Sequence, residues 1–133
     1  MSRVEIEELL RRNYRAYADM DVAVIDELVT DDMVMHVPGD HPLSGEHRGR
    51  DQVWAYLGKV AEVSGGAGGF EVEAIAADDE GHAAVILTGT IRDFVRPVVH
   101  MWRVEQGKLV EFWEGNYDQA AEDAFWNAAL ATV

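Results

Sequence analysis

Residues 98–118, VVHMWRVEQGKLVEFWEGNYD, hold the side chains best suited to moving a proton. An imidazole with its ordinary pKa of about 6.5 gains or loses a proton near neutrality, and a carboxylate beside it raises that value. His100 supplies the imidazole and Asp118 the carboxylate. Each has a plain structural role to set against that chemistry. A buried histidine can simply bond a backbone carbonyl, and Asp118 directly precedes a helical stretch, where Asp is among the best N-caps. Glu114 shares their alternation and could orient His100, while Trp102 and Phe112 flank it as an apolar wall for a ring-containing ligand.

Whether these side chains meet depends on how the chain turns at Gln106-Gly107. A two-residue type I′ turn needs positive φ at Gln106, which Asn, Asp or Gly tolerate and Gln does not. A type I turn through Glu105 and Gln106, with Gly107 left-handed in a bulge, avoids that cost and is the expected loop. Alternation then puts His100, Trp102, Phe112, Glu114, Asn116 and Asp118 on one face. Val99, Met101, Leu109, Trp113 and Tyr117 fall on the other, with Arg103 and Glu111 pairing diagonally.

The elements that must position this hairpin are legible from periodicity and capping. Ser2 and Glu5 have capping-box spacing, and Ile6, Leu10, Asn13/Tyr14 and Tyr17 form one stripe of a helix over about 3–18. Asp21 caps a shorter helix with Ile25, Leu28 and Val29 turned inward; Thr30-Asp31-Asp32 ends it, and 33–37 reads as a short strand. Residues 38–50 read as a loop. Asp51 caps a third helix with Val53, Trp54, Leu57, Val60 and Ala61 on its apolar side. Residues 64–69 form a flexible connection, whose glycines lack the strand and helix of a dinucleotide fingerprint. Strands follow over 70–77 and 82–92 around an acidic turn, then the hairpin, then a helix over 119–130. Successive antiparallel strands with helices gathered on one side predict one α+β domain over residues 1–133.

With 11 basic against 25 acidic residues the net charge is −14, a field that repels phosphate backbones and anionic lipid, so neither nucleic acid nor a membrane is an expected partner. The absence of cysteine rules out disulfides, thiolate nucleophiles and cysteine-ligated zinc. Together with an N-terminal MSRVEIEELL that lacks a signal-like apolar run, it points to the cytoplasm. His36, His41 and His47 are spaced across a Gly-Pro loop in no compact ligand pattern, so no metal or cofactor is expected. His82 reads as solvated.

The phrase HVPGDHPLSGEHRGRDQV, together with VVHMWRVEQGKLVEFWEGNYDQ and AEDAFW, resembles the SnoaL-like branch of the nuclear transport factor 2-like superfamily. The resemblance implies a cone-shaped barrel, a curved antiparallel sheet packed against three N-terminal helices plus a C-terminal one, with a pocket between sheet and helices. Relatives include polyketide cyclases, ketosteroid isomerases, dehydratases, epoxide hydrolases and non-catalytic binding proteins. Matching the cyclases' strand His and downstream Asp implies His100 and Asp118 as catalytic, His36 as a second pocket histidine, and Tyr14 near the isomerases' catalytic tyrosine. Val37 stands where the isomerases carry their general-base Asp, and the Asp-Arg-Asp arrangement of the epoxide hydrolases has no assignable counterpart.

The expectation is therefore a small-molecule pocket doing cofactor-free isomerisation, cyclisation or dehydration on an apolar carbonyl- or hydroxyl-bearing compound. His100, Asp118, His36 and Tyr14 are the catalytic candidates, and Trp102, Phe112, Glu114, Trp54 and Tyr17 the substrate-binding ones. A non-catalytic binding or dimerisation domain and an epoxide hydrolase-like hydrolase stay open. The apolar second face of the hairpin predicts a homodimer.

Overall fold

The computed structural model describes residues 1–66 and 68–131, and within them the α+β class holds. The first helix, α1 (Arg3–Ala18), starts at a complete capping box in which Ser2 Oγ accepts from Glu5 N and Glu5 answers to Ser2 N. Asp21 caps α2 (Val22–Leu28) through Val24 N. The chain then enters β1 (Val29–Val37), so Thr30-Asp31-Asp32 continues into a strand rather than merely ending the helix. β2 (Gly45–Arg48) lies inside the expected loop. α3 (Gly49–Ser64) begins two residues before Asp51, with Arg48 at the cap position and its N–H taken by the Gln52 side chain. β3 (Gly68–Ala77), β4 (His82–Ile91), β5 (Phe94–Glu105), β6 (Lys108–Asn116) and α4 (Gln119–Leu130) complete the chain. Of the expected 64–69 connection, Ala67 lies outside the described residues, as do 132–133 of the expected domain; residues 68–69 already belong to β3.

The strands form one sheet in the order β2-β1-β6-β5-β4-β3. It is mixed, because β1 runs parallel to β6 while every other neighbour is antiparallel. Its inner face packs on the helices: Ile6, Leu10 and Tyr14 of α1 meet Met33, Met35, Val85, Trp102, Leu109 and Phe112 in one core. A smaller cluster of Val63, Ile91, Trp126 and Ala129 lies under α4.

The hairpin turn departs from the expected loop. Glu105 pairs directly with Lys108, and both Gln106 (φ 51°) and Gly107 (φ 76°) are left-handed, the two-residue arrangement judged costly for Gln. Alone it would have set His100 opposite Trp113. The ladder slips by one residue, however: Val104 pairs with Leu109 but Arg103 with Glu111, leaving Val110 as a bulge. Beyond it His100 faces Glu114 and Trp102 faces Phe112, so the four share one face as expected, through the bulge rather than the turn and two residues out of the register the three-residue loop would set. Leu109, on the turn side of the bulge, belongs to the core and has no exposed surface, which corrects its expected place on the outer face. Arg103 and Glu111 sit directly opposite, 3.2 Å apart, rather than diagonally. Asn at position 106 would relieve the left-handed strain. Gln106→Asn should stabilise the fold by about 0.5–1 kcal/mol, read as a rise of a few degrees in Tm; an unchanged or lower Tm would show that the turn stores no such strain.

Candidate functional site

Tyr14 points from the inward stripe of α1 to the centre of the sheet. Trp102 Nε1 donates to its hydroxyl oxygen at 2.9 Å, and the hydroxyl lies 2.7 Å from His100 Nδ1. The oxygen has room to accept twice, but the phenol's own hydrogen meets no other acceptor among the described residues, so donation to Nδ1 is the arrangement that pairs every group. The imidazole is thereby held as the tautomer protonated on Nε2, the nitrogen Tyr14 does not engage. The His100 ring lies edge-on to Phe112 and parallel to Tyr14. Burial first, and the Arg96 guanidinium second, push the His100 pKa down to about 3. This reverses the expected upward shift: at neutral pH His100 is an uncharged hydrogen-bond donor. Burial drives the Tyr14 and Tyr17 phenols well above their usual range, so both stay protonated donors.

Asp118 is not the carboxylate beside His100. Its side chain is exposed and accepts from Ala121 N at 3.0 Å, the capping role that its position before α4 allows. His36 also lies elsewhere, on the outer face of the sheet, because Met33, Met35 and Val37 take the inward positions of β1. It stacks on Trp113 and bonds Glu111 Oε2 at 2.5 Å.

The carboxylate opposite His100 on the inner face is Glu114, at 9% exposure. Its Oε1 lies 3.4 Å from Arg96 Nη2 and its Oε2 accepts from Asn116 Nδ2 at 2.9 Å. Arg96 in turn grips Glu122 of α4, Nε to Oε2 at 3.0 Å and Nη2 to Oε1 at 2.5 Å, while Trp126 Nε1 donates to Oε1. Burial opposes the Arg96 charge, but Glu122 and Glu114 outweigh it and hold the guanidinium pKa above normal. Two inward carboxylates thus share one inward arginine. Arg96 and Glu122 escaped the sequence reading because their partners are remote in the chain; Arg96 does keep even-numbered alternation with His100 and Trp102, a signal that could have found it.

Tyr17, Trp54 and Trp102, all expected to bind substrate, line an enclosed cavity of about 10 Å³ between the helices and β1. Trp54 Nε1 donates to Asp26 Oδ1 at 3.2 Å. The cavity has room for about one water-sized group. Outside the interior, exposed Asp78, Glu80 and His82 bring possible ligand atoms within 4.8 Å of one another. Asp78 there caps the backbone N–H groups of Glu80 and His82, which hold its carboxyl at about pKa 2; the cluster reads as a locked turn.

A profile described as SnoaL-like domain matches residues 10–112. The chain is similar to an uncharacterized protein of Mycobacterium tuberculosis, 28% identical over 125 residues, 90% of this chain and 94% of that one. Among solved structures it resembles Bal32a from a soil-derived mobile gene cassette, at 25% identity and TM-score 0.87, covering 92% of this chain and 96% of that one. It also resembles a protein with a cystatin-like fold from Xanthomonas campestris, at 29% identity and TM-score 0.79, covering 96% and 99%.

The depressed His100 pKa has a stability consequence with a fixed sign. Protons bind His100 more readily in the unfolded chain, near the ordinary 6.5, than in the folded one, near 3. Its contribution is therefore complete above about pH 6.5 and is lost as pH falls toward 3. Urea midpoints should fall more steeply between pH 6.5 and 4.5 for the wild type than for His100→Gln. Parallel curves would place the imidazole in a more solvated setting than this geometry gives it.

Proposed function

The chain belongs to the SnoaL-like domain family, which has isomerase and cyclase members, and from that premise we propose that it is a cofactor-independent proton-transfer enzyme acting on an apolar carbonyl- or hydroxyl-bearing compound. The supporting observation is the Trp102–Tyr14–His100 chain, which fixes a neutral imidazole with Nε2–H as its free donor. Such a donor polarises a substrate oxygen and stabilises the enolate that forms there, at no cost in reorganisation. Glu114, across the ladder from His100, is the group to take a proton from the adjacent carbon and return it elsewhere, or to return it to a departing hydroxyl. Arg96, anchored by Glu122, holds Glu114 in place. Asp118 and His36 have no part in this reading, since one caps α4 and the other faces outward.

A second reading has its own observation. Glu114–Arg96–Glu122 is a carboxylate–arginine–carboxylate set like the one the resemblance attributes to epoxide hydrolases. One carboxyl would deprotonate water while the other protonates the ring oxygen, with Arg96 bridging them.

Incubation of apolar ketones with the protein in D2O, followed by mass spectrometry, separates these readings without knowledge of the physiological substrate. Catalysed deuterium uptake next to the carbonyl should fall roughly 10²–10⁴-fold in Glu114→Gln and less in Tyr14→Phe, which leaves the imidazole in place. Uptake unaffected by Glu114→Gln would remove it as the base. Diol formation from apolar epoxides without ketone exchange would favour hydrolysis. Ligand binding without either reaction would leave a binding domain.

We also propose that a second copy of the chain covers the outer sheet face. Ile86, Val95 and Met101 are 51%, 62% and 45% exposed there, and a groove of about 530 Å³ runs past Ala84, Met101 and Trp113, its described lining drawn from strands and the β3–β4 turn alone. Exposed apolar surface of this kind marks an interface. Sedimentation at micromolar concentration should give a dimer for the wild type and a shift toward monomer for Met101→Lys; a wild-type monomer would contradict it.

A further inference from the structure

We infer that the enclosed cavity between α1, α2, α3 and β1 is a subsite for one carbonyl or hydroxyl oxygen of an otherwise apolar, uncharged ligand, read by Asn13, Thr30 and Arg50. The inference rests on the proposed function in one respect, that such a ligand enters the interior between helices and sheet. All three residues line the cavity. Asn13 has no exposed surface, yet neither its Oδ1 nor its Nδ2 has a partner among the described residues. Thr30 Oγ1 and Arg50 Nε are likewise buried and unpartnered. Buried polar atoms are nearly always paired, so four without partners on three residues that line one small cavity point to an oxygen supplied from outside the chain.

The chemistry of the lining selects that oxygen. Asn13 Nδ2, Thr30 Oγ1 and Arg50 Nε can all donate to an acceptor, and Asn13 Oδ1 or Thr30 Oγ1 can receive a hydroxyl hydrogen. The rest of the Arg50 fork is already committed: Nη1 to Asp26 Oδ1 at 2.5 Å and Nη2 to Asp31 Oδ1 at 2.9 Å, with the Asp26 and Val29 carbonyls at 3.0 Å. Its charge is thus matched twice over, which disfavours an anionic ligand. Ile25, Met33, Met35, Val53 and Leu57 make the remaining wall apolar. About 10 Å³ suits an oxygen, not a carbon skeleton, so the rest of the ligand displaces side chains; methionine, unbranched and adaptable, is suited to yielding. Trp102 borders the cavity and also donates to Tyr14, so an occupant lies one indole away from the His100 chain.

Acetylcyclohexane, 1-cyclohexylethanol, ethylcyclohexane and cyclohexylacetate share a skeleton and differ in the head group. Titrated against the whole protein, with fluorescence of Trp54 and Trp102 and ligand-induced Tm shifts as readouts, the ketone and alcohol should bind roughly tenfold or more tighter than the hydrocarbon or the anion. Asn13→Leu and Thr30→Val, close to the original shapes, should erase that preference while leaving the free protein's Tm unchanged or higher, since each removes an unpaired polar group. The two variants guard against either one misfolding. Equal binding of all four probes, no binding of the oxygenated pair, or a preference that survives in both variants would overturn the subsite and leave room for a structural water only. Oxygen-selective binding without deuterium exchange would remove the enzyme reading and keep the subsite. Exchange without oxygen selectivity would do the reverse.

Discussion

One phenolic hydrogen governs the interior of this protein. Trp102 of β5 donates to the Tyr14 oxygen, and Tyr14 of α1 passes its only hydrogen to His100 of the same strand. The chain of bonds joins the first helix to the middle of the sheet across 86 and 88 residues of sequence. Each buried donor or acceptor left unpaired would cost about 1–3 kcal/mol, so the arrangement fixes the depth of α1, the rotamer of Trp102 and the tautomer of His100 together. With the imidazole buried and Arg96 nearby, protonation is disfavoured, and His100 is a donor throughout the neutral range.

In the proposed reaction that assignment leaves the role of base to a carboxylate, and the inner face holds two. Glu122 is held by three contacts, two from Arg96 and one from Trp126, while Glu114 keeps looser contacts and faces His100. Breaking a buried charge cluster by removing one member costs more than the cluster contributes to stability. A buried cluster of this kind is thus weak evidence for stability, and the proton-transfer reading proposed above gives it a use. The family supports many reactions on one cone, so it is these residues, and not the fold, that carry the reading.

Much of the frame was legible because it is written in local rules. α1 and α4 begin where Ser2, Glu5 and Asp118 place them, and Asp21 caps α2 as expected. His100, Trp102, Phe112 and Glu114 were placed on one face correctly but through a wrong turn, with Leu109 and Asp118 misplaced: Gln106 is left-handed, and the Val110 bulge brings the four back to one face. Nothing local announces a bulge at a valine. β2 was hidden in a Pro- and Gly-rich segment because its stability comes from pairing with β1, not from its own composition. In the site, His100, Trp102 and Phe112 were recognisable by type and alternation, and Tyr14 by the helical stripe of α1 and the resemblance. His36 was misplaced because a strand's last residues alternate faces, and the short 33–37 window did not show that the methionines take the inner one. Arg96, Glu122 and the trio of Asn13, Thr30 and Arg50 depend on long-range packing that spacing cannot reveal.

The central claim is that His100 is a neutral imidazole protonated on Nε2 because Tyr14 donates to Nδ1. Long-range proton–nitrogen correlation spectra of protein labelled with nitrogen-15 at histidine report the state of each ring nitrogen directly. At pH 7 His100 should show an unprotonated Nδ1 and a protonated Nε2, and Tyr14→Phe should disturb that pattern while leaving the other histidines as they were. Two protonated nitrogens at His100, or a proton on Nδ1, would contradict it.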